Sequence, residues 1–580
     1  MAVTSALHTT LSGLQNTESR INVLSDNISN ADKAGYTRKE IENSYISVNG
    51  QTVPLRGTIE TVNFNPYLFE SLIEDTSGAS FNTVVFDYLF DYTAELGSID
   101  GDNSLSSFVN NLSTALDRLT VTPEDASLKS AVVSAADRLA VELNRKTAAV
   151  QDFRLQADQN IQSVVDQING AVARIDDINA TIVQSEVYGV STANLEDDRR
   201  SELETLSSLI DINYFINNNN EVQLYTGGRP LLDSTAHTIE YVANTNLDKD
   251  SLYPGGFNAI DLDGFDITTV VNTGEIGALV QLRDETLVEE QAKLDEFADV
   301  LIRELNTLLN TGASIPGRAE ILGEFQGITG ATPLGATGSI RIATTDTNGI
   351  VQNFADIPLA GLLTITDLTN AINTALGPDV TASVAAPNGV LSLVANNAGE
   401  GLALNQLNSD ITATGQNFST FFGLNNFFDG TDAGDITISD YLVANGATLA
   451  TSQLESGALA IGDPGVNPGD SSLATVLNDA FTTDFNYNAA GNFAAQSETL
   501  NNYISNFISD AALRTTNAEA NRDIAIALTE QTKTTLQNIS SVNVDEELAN
   551  LIDLEAKYEA SATMIATIQE LFDTLLQAVR

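Results

Sequence analysis

Histidine and cysteine, the side chains most often used for nucleophilic catalysis and metal binding, are scarce in this sequence. The 580 residues contain two histidines, His8 and His237, and no cysteine. Two histidines cannot supply a catalytic triad and a zinc site together, and no phosphate-binding or dinucleotide-binding glycine motif is present. His8 lies within a helical pattern and is predicted to be structural. The sequence therefore predicts a protein that is not an enzyme, with no catalytic residue, no cofactor and no metal ligand.

Aspartates at two places are spaced somewhat like calcium ligands. Asp100-Gly101-Asp102-Asn103-Ser104 resembles half of a calcium-binding loop. The glycine that such a loop needs at its sixth position is Leu105 here, and the closing acid is Asn111. Helix capping explains the same residues, and Asp261-Leu262-Asp263-Gly264 is equally typical of a turn. We therefore predict no calcium site.

Two pairs of adjacent acids, Asp197-Asp198 and Glu546-Glu547, have the residue types that glycosidases use. With 78 acidic residues in the chain, neighbouring acids are expected by chance, and the absence of tryptophan removes an aromatic sugar platform. Carboxylates near helix N-termini are also favoured by the helix dipole. We predict that both pairs lie on solvated helix faces.

Heptad-patterned helices are predicted at both ends of the chain, although more than four hundred residues separate them. A seven-residue apolar repeat makes a seam that must be buried against another helix. We therefore predict that the two ends pair as a stalk, and that their apolar rows form the assembly interface of a subunit built to stack into a tube. The predicted interface residues are Leu7, Leu11, Leu14, Ile21, Leu24, Ile28, Leu551, Leu554, Tyr558, Ile565, Ile568, Phe572, Leu575 and Val579.

The segment between the two ends is predicted to be helix-rich up to about residue 310. Apolar residues between Pro123 and Tyr188 keep three- and four-residue spacing, which fits either one rod or a broken rod. Ser104 and Thr122-Pro123 are typical of helix starts, and an extended segment is expected over about 40–70. The predicted helices run from near Phe81, from Ser104, from Thr122-Pro123 to Tyr188, over about 194–209, over about 276–310, over Ile365–Leu376 and from near Phe493 to the end, with an interruption near Ser540–Asn543.

The predicted fold class is a multidomain α plus β protein. It has paired N- and C-terminal coiled-coil helices, a helix-rich body domain with a β part, and an inserted β-rich α+β outer domain, because the middle has short alternating runs and many Gly, Thr and Asn residues. The predicted division is 1–75 for the N-terminal axial helix and extended segment, 76–311 for the body, 312–430 for the inserted domain, 431–492 for a return to the body, and 493–580 for the C-terminal helices.

Charge and hydropathy exclude several classes of partner. The formal net charge is -52, and no Lys, Arg or His occurs between Arg341 and Arg514. Phosphate binding needs clustered basic residues, so nucleic acid is not an expected partner. No apolar run approaches the ~20 residues that span a bilayer, so no membrane insertion is expected. The N-terminus lacks the basic and continuous apolar regions of a cleavable signal peptide.

Both ends of the chain resemble a known family. The N-terminal block includes Leu11-Ser12-Gly13-Leu14 and Asn27-Ile28-Ser29-Asn30, and the C-terminal block runs over Val542–Ile552 and on to Leu576. These blocks are similar to the shared termini of bacterial flagellar rod, hook and hook-associated axial proteins. The residues that match the family motif after the first helix are Asn30, Gly35, Tyr36 and Arg38. Lys33 and Ala34 stand where the family has Thr and Pro, which puts the conformation of this turn in question.

The interior is similar to those family members that lie at the junction between hook and filament. Leu105-Ser106-Ser107-Phe108, Pro123-Glu124-Asp125, Ala193–Arg199 and Gly274–Asp284 carry this second resemblance. Together the similarity covers about residues 1–310 and 490–580, whereas the middle is only loosely similar. A hook or distal-rod protein shares the ends but should lack the helix-rich 104–310 segment.

The resemblance implies a structural, extracellular role in the bacterial flagellum, at the hook–filament junction. It implies export in unfolded form by the flagellar type III apparatus, without a cleaved signal peptide, and self-assembly in a ring or helical layer. The implied partners are the hook protein, a second hook-associated junction protein on the filament side, and an export chaperone at the C-terminal helix. The alternatives are a hook or distal-rod structural protein and, from another class, an acidic surface adhesin or a carbohydrate-active protein.

Overall fold

A computed structural model describes residues 2–33, 35–42, 45–48, 51–54, 58–61, 64–98, 101 and 103–578. The first helix, α1, is followed by a short turn and then by an antiparallel hairpin in two parts. The outer strands of this hairpin, β1 and β4, pair with each other, and the inner strands, β2 and β3, pair near its tip. The elements are α1 (Ala2–Asn30), β1 (Lys39–Glu42), β2 (Tyr45–Val48), β3 (Gln51–Pro54) and β4 (Thr58–Thr61).

Four helices come next, and two of them begin at residues that the sequence analysis did not predict. The first begins at Pro66 rather than near Phe81, because Asn65 accepts hydrogen bonds from the next backbone N–H groups and proline is tolerated in the first turn. The third is capped by Asp125, not by Thr122. The predicted cap at Ser104 is confirmed. These helices are α2 (Pro66–Leu96), α3 (Leu105–Val121), α4 (Ala126–Val187) and α5 (Ala193–Leu209).

Helix α4 is one continuous rod of 62 residues, which decides between the two alternatives left by the sequence. At ~1.5 Å per residue it extends over roughly 90 Å. Its first half, including Leu139 and Val150, packs in a core with α3 and later helices. Its second half, including Ile161 and Ile175, belongs to a second core with α2 and α5. One helix therefore ties two cores together.

A small β part and a helix (α6, Gly274–Gln281) complete the second core, while the following helix (α7, Leu287–Leu309) packs in the first core. The strands form two three-stranded antiparallel sheets, and a turn at Asn217–Asn220 joins the first two strands of the earlier sheet. The long helix, predicted over about 276–310, contains a π-helical turn over Leu282–Thr286. The elements are β5 (Asn213–Ile216), β6 (Val222–Thr226), β7 (Arg229–Leu232), β8 (Ile239–Glu240), β9 (Asp261–Leu262), β10 (Phe265–Asp266), α6 (Gly274–Gln281) and α7 (Leu287–Leu309).

The middle of the chain folds around a third core of its own. Two three-stranded sheets, β11-β16-β15 and β14-β13-β17, enclose the apolar face of a helix. This helix spans Ile365–Leu376, the bounds that the sequence predicts. The elements are β11 (Glu320–Leu322), β12 (Ala336–Thr337), β13 (Ser339–Thr345), β14 (Val351–Pro358), α8 (Ile365–Leu376), a 3-10 turn (Gly377–Asp379), β15 (Val380–Ala385), β16 (Val390–Ala395), β17 (Gly401–Asn405), β18 (Asp410–Ile411) and α9 (Phe418–Phe422).

The chain then returns to the first core, where Phe427, Phe428 and Phe481 are buried beside α4 and α7. The last long helices begin at Leu500, not at Phe493 as predicted, because 496–498 forms a strand pair with 485–487. The elements are β19 (Phe428–Asp429), β20 (Thr437–Ile438), α10 (Asp440–Ala444), a 3-10 turn (Gly446–Thr448), α11 (Ser472–Asp479), β21 (Phe485–Tyr487), β22 (Gln496–Glu498), α12 (Leu500–Ser540) and α13 (Val544–Ala578).

Helix α12 packs along α2, and α13 packs mainly along α1, so both ends of the chain lie side by side. The break between α12 and α13 falls at the predicted position near Ser540–Asn543. The predicted fold class, with paired terminal helices, a helix-rich body with a β part and a β-rich α+β insertion, is confirmed. Within the described residues, no helix is both long enough and apolar enough to cross a membrane.

Candidate assembly interface at the paired chain ends

The structure brings the two predicted apolar rows together along α1 and α13. The most buried apolar side chains of the pair are Val23, Leu554 and Ile568. Leu11 and Tyr558 are exposed in the single chain, Val579 lies outside the described residues, and the placement of the Leu575 side chain is not described. The predicted residues that are half-buried in the pair are Leu7, Leu14, Ile21, Leu24, Ile28, Leu551, Ile565 and Phe572.

Two polar residues, Asn27 and Glu547, are buried at the base of this pair, and the sequence analysis missed both as interface residues. Asn27 Nδ2 donates to Glu547 Oε2 at 3.1 Å. The same amide group donates to Lys39 O at 2.9 Å, while its oxygen accepts from Lys39 N and from Tyr36 OH at 3.1 Å each. A signal was available, because Glu547 stands seven residues before Leu554 on the same heptad row.

Arg38 fixes the N-terminal segment to the start of α13. Its Nε donates to Glu547 Oε1 at 2.7 Å, and its Nη2 lies 3.5 Å from Glu546 Oε1. Its backbone N–H donates to Ser540 O at 2.8 Å, at the end of α12. Burial acts against the charged guanidinium, but the hydrogen bond to Glu547 and the nearby carboxylates outweigh it and raise the pKa of Arg38.

Asp197 on α5 holds the same segment to the body. Its two carboxylate oxygens accept from Thr37 N at 3.2 Å, Thr37 Oγ1 at 2.7 Å and Lys39 Nζ at 2.6 Å, and Arg200 also donates to it. The Lys39 and Asp197 side chains are both almost fully buried. Burial lowers the pKa of Lys39 by more than pairing with Asp197 raises it. Burial, with the charges of Asp26, Asp197 and Glu547, raises the pKa of Tyr36 to about 12.

The prediction that both acid pairs lie on solvated helix faces is wrong for one member of each pair. Asp197 is 5% exposed and Glu547 1% exposed, whereas the side chains of Asp198 and Glu546 are 53% and 57% exposed. Helical geometry turns adjacent residues to different sides, so one acid of each pair faces the N-terminal segment. The buried acids accept hydrogen bonds from that segment, and we assign them to positioning the chain ends.

The family-motif residues form the turn that leads into this network. Gly35 has a φ of +78°, a left-handed conformation that glycine adopts without steric cost. Tyr36 N donates to Lys33 O at 3.1 Å, and Lys33 Nζ lies 3.3 Å from Asp198 Oδ1. Asn30 donates only locally, to Asp26 O at 2.8 Å. Tyr36 also packs its ring against the Lys39 ammonium, with 3.5 Å between the Nζ and the ring centroid.

The other chemical candidates lie apart from this network. His8 is exposed on α1. His237 lies between two carboxylates, with Nδ1 2.5 Å from Asp263 Oδ2 and Nε2 3.3 Å from Asp233 Oδ1. Within the predicted turn over 261–264, Asp263 and Gly264 form the turn itself, between β9 and β10. Asp100 and Asp102 lie outside the described residues. Within the described part of the chain, no group of three or more His, Asp or Glu side chains is placed to hold a metal ion.

Three family models match the chain, one on the body and one on each end. The Flagellar hook-associated protein FlgK helical domain matches residues 96–321. The Flagella basal body rod protein model matches residues 7–37, and the Flagellar basal body rod FlgEFG protein C-terminal model matches residues 536–578. Flagellar hook-associated protein 1 of Escherichia coli is 22% identical over 598 residues, covering 99% of this chain and 100% of that protein. The chain is thus similar over its whole length to flagellar hook-associated protein 1.

A second relative is similar over the same length, and a solved structure has a similar fold. Flagellar hook-associated protein 1 of Salmonella typhimurium is also 22% identical, over 592 residues, with 99% and 100% of the two chains covered. The flagellar hook junction protein FlgK from Burkholderia pseudomallei has a similar fold, with a TM-score of 0.51 at 15% identity, covering 82% of this chain and 100% of that one. This chain is accordingly a structural protein of the flagellum. Asn27 and Glu547 fall within the two rod-type matches, and Arg38 directly follows the end of the N-terminal one.

Proposed function

We propose that this chain is a subunit of the junction between the flagellar hook and filament, and that it assembles through its paired terminal helices. The relatives are described as hook-associated or hook junction proteins, and the similarity to the hook-associated proteins extends over 99% of this chain. Their rod-type ends support an axial position, while the FlgK-type body favours the junction over the hook or the distal rod.

The state of the terminal pair is the observation that carries the assembly part of this proposal. α13 buries Leu554 and Ile568 against α1, yet Leu548, Ile552 and Leu571 are exposed on the same helix, Ile552 by 68%. Apolar rows on the outer side of a helix pair offer a surface for further helices. Neighbouring copies in a ring or helical layer would cover these rows.

The same observation supports export of an unfolded chain that becomes ordered at the growing tip. Ordering a helix of 35 residues costs conformational entropy along its whole length, and few apolar side chains of α13 are fully buried within one chain. Neighbours supply the missing burial, so the terminal pair becomes stable on assembly. The proposed partners are further copies of this chain, the hook protein, a second hook-associated protein towards the filament, and an export chaperone on α13.

Immunogold labelling of isolated hook–filament preparations tests the position. We expect one narrow band of label between hook and filament, and a deletion strain whose hooks lack attached filaments. Label along the whole hook would contradict the junction assignment and favour a hook protein. Mass spectrometry of the exported protein tests the export route, because a chain exported without a cleaved signal peptide retains its N-terminal segment.

A further inference from the structure

A short segment, residues 36–39, lies between the terminal pair and the body, and we call it the strap. Thr37 and Lys39 are buried, whereas Tyr36 and Arg38 are partly exposed. This two-residue alternation is typical of an extended chain with different surroundings on its two sides. Four helices bind the strap through hydrogen bonds, namely α1, α5, the end of α12 and the start of α13.

On the side of the body, one carboxylate on α5 holds the strap. Asp197 accepts from Thr37 N at 3.2 Å, from Thr37 Oγ1 at 2.7 Å and from Lys39 Nζ at 2.6 Å. Arg200, one turn further along α5, also donates to Asp197. Because Arg200 keeps a cation beside this buried carboxylate, the strap can leave the body without stranding an isolated charge.

On the side of the terminal pair, α1 and α13 bind the strap together. Asn27 accepts from the N–H of Lys39 at 3.1 Å and donates to its C=O at 2.9 Å. Glu547 accepts from Arg38 Nε at 2.7 Å and from the Asn27 amide at 3.1 Å. This half of the binding site is therefore complete only while the start of α13 lies against α1.

Lys39 belongs to both halves of this site. Its backbone is bound by Asn27 on α1, and its ammonium is bound by Asp197 on α5. Hydrogen bonds weaken steeply as their distances and angles depart from the ideal, so a shift of the Lys39 backbone on one side also loosens the contact on the other. Contacts that share a residue within one network are energetically coupled.

We propose that the strap closes onto the body only when α13 is held on α1, so that assembly of the chain ends also fixes the body. This inference rests on the proposed function, in which neighbouring copies complete the burial of α13. Few apolar side chains of α13 are fully buried in one chain. Before assembly the strap is open and the body has no fixed orientation to the chain ends. After assembly the strap is closed on Asp197.

Hydrogen exchange of the purified full chain tests this coupling, because the N–H of Thr37 donates to Asp197 and reports on the body side. Where the start of α13 is protected, Glu547→Ala should speed exchange at Thr37 about tenfold or more, as expected for the loss of a hydrogen bond to a charged group. In the reverse direction, Asp197→Asn should speed exchange at the start of α13. Glu546→Ala and Asp198→Asn are the matched controls, because both side chains are more than half exposed.

The unchanged chain gives a second measurement. Fast exchange at both Thr37 and α13 before assembly would support the open strap. Slow exchange at Thr37 in a chain whose α13 exchanges freely would show that the strap docks independently, and so would a Glu547→Ala variant that loosens α13 but not Thr37. Either result would overturn the coupling and leave the junction assignment intact. Absence of immunogold label from the junction would instead contradict the proposed function, whatever the exchange of the purified chain.

Discussion

Asn27 near the end of α1 donates a hydrogen bond to Glu547 in the first turn of α13, across a sequence separation of 520 residues. Both side chains are almost completely buried. Since Asn27 also holds both backbone polar groups of Lys39, one amide side chain connects the two chain ends to the first strand of the hairpin. The N- and C-terminal helices are therefore paired by an apolar seam and oriented at their base by a polar one.

Replacement of Asn27 by alanine should loosen this base. The substitution leaves the N–H and C=O of Lys39 without a partner, at a cost of ~1–3 kcal/mol for each buried unsatisfied group. We expect faster hydrogen exchange in α1 and β1, with little change in the exchange of α4. Asn30→Ala is the matched control, because Asn30 donates only to Asp26 O within the same helix. Equal exchange in the two variants would contradict the role of Asn27.

Asp197→Asn should detach the N-terminal segment from the body, whereas Asp198→Asn should not. Removing one partner of a buried ion pair costs roughly 3–5 kcal/mol, while an exposed pair contributes about 0–1 kcal/mol. Lys39 loses its carboxylate in the first variant, so its already lowered pKa should fall further. Limited proteolysis between α1 and α2 should speed up only in Asp197→Asn. Similar cleavage rates in both variants would refute the assignment.

The stability of the body should depend on pH through Asp295 on α7. Burial and the neighbouring Asp432 raise its pKa to about 6, although Gln291 Nε2 and Ala433 N both donate to it. A raised pKa in the fold means that the protonated form is favoured, so stability from this group is full below pH ~4 and is lost as pH rises through about 6.

Asp295→Asn should therefore stabilise the protein at pH 7.5 and have little effect near pH 4. Two pKa units correspond to roughly 3 kcal/mol, and solvent screening of this half-buried group reduces the expected gain to about 1–2 kcal/mol. Thermal unfolding of the variant and of the unchanged protein at several pH values measures this gain in stability. Asp299→Asn on the same helix, where the carboxylate forms a surface pair with Arg303, is the control. A gain for Asp295→Asn that does not depend on pH would contradict the mechanism.

Charge placed in the terminal seam should block assembly without unfolding the body. Ile565 and Phe572 are half-buried on α13, which packs on α1 rather than on the body cores. When Ile565→Asp and Phe572→Asp are combined, the melting temperature of the body should stay nearly constant. Filaments should fail to attach to hooks, because burying the new carboxylates in the seam costs their hydration. Export is measured separately, since α13 is also the proposed chaperone site. Normal junctions, or a destabilised body, would refute this use of the seam.

The inserted domain should be removable if the deletion leaves all residues of the body core in place. Arg318 donates to Leu424 O and Asn425 Oδ1, so the two ends of the insertion lie close together. Phe427 and Phe428 belong to the body core and must be kept. A deletion up to residue 430, the predicted end of the inserted domain, would remove both of them. A short linker that replaces 319–424 should give a protein that assembles and supports partial motility. Loss of junctions with a folded, exported variant would show that this domain carries essential contacts.

Sequence periodicity predicted the helices and their pairing well, because an amphipathic helix carries its own signal in local spacing. The helix over Ile365–Leu376 and the break after Ser540 both follow from local patterns. The first residues of helices were harder to predict where a proline stands near the helix start. Pro66 can end an extended segment or open a helix, and only its cap by Asn65 decides between them.

The sequence by itself determined the fold class, the apolar seams and the motif turn at Gly35, since each depends on residues close together in the chain. Tertiary structure alone decided which polar residues are buried. Asp197 and Asp198 have the same side chain and are adjacent, yet only Asp197 faces the segment that contains Lys39. A carboxylate is buried only where hydrogen-bond donors from distant parts of the chain come close to it. Local sequence patterns do not show which distant residues these are.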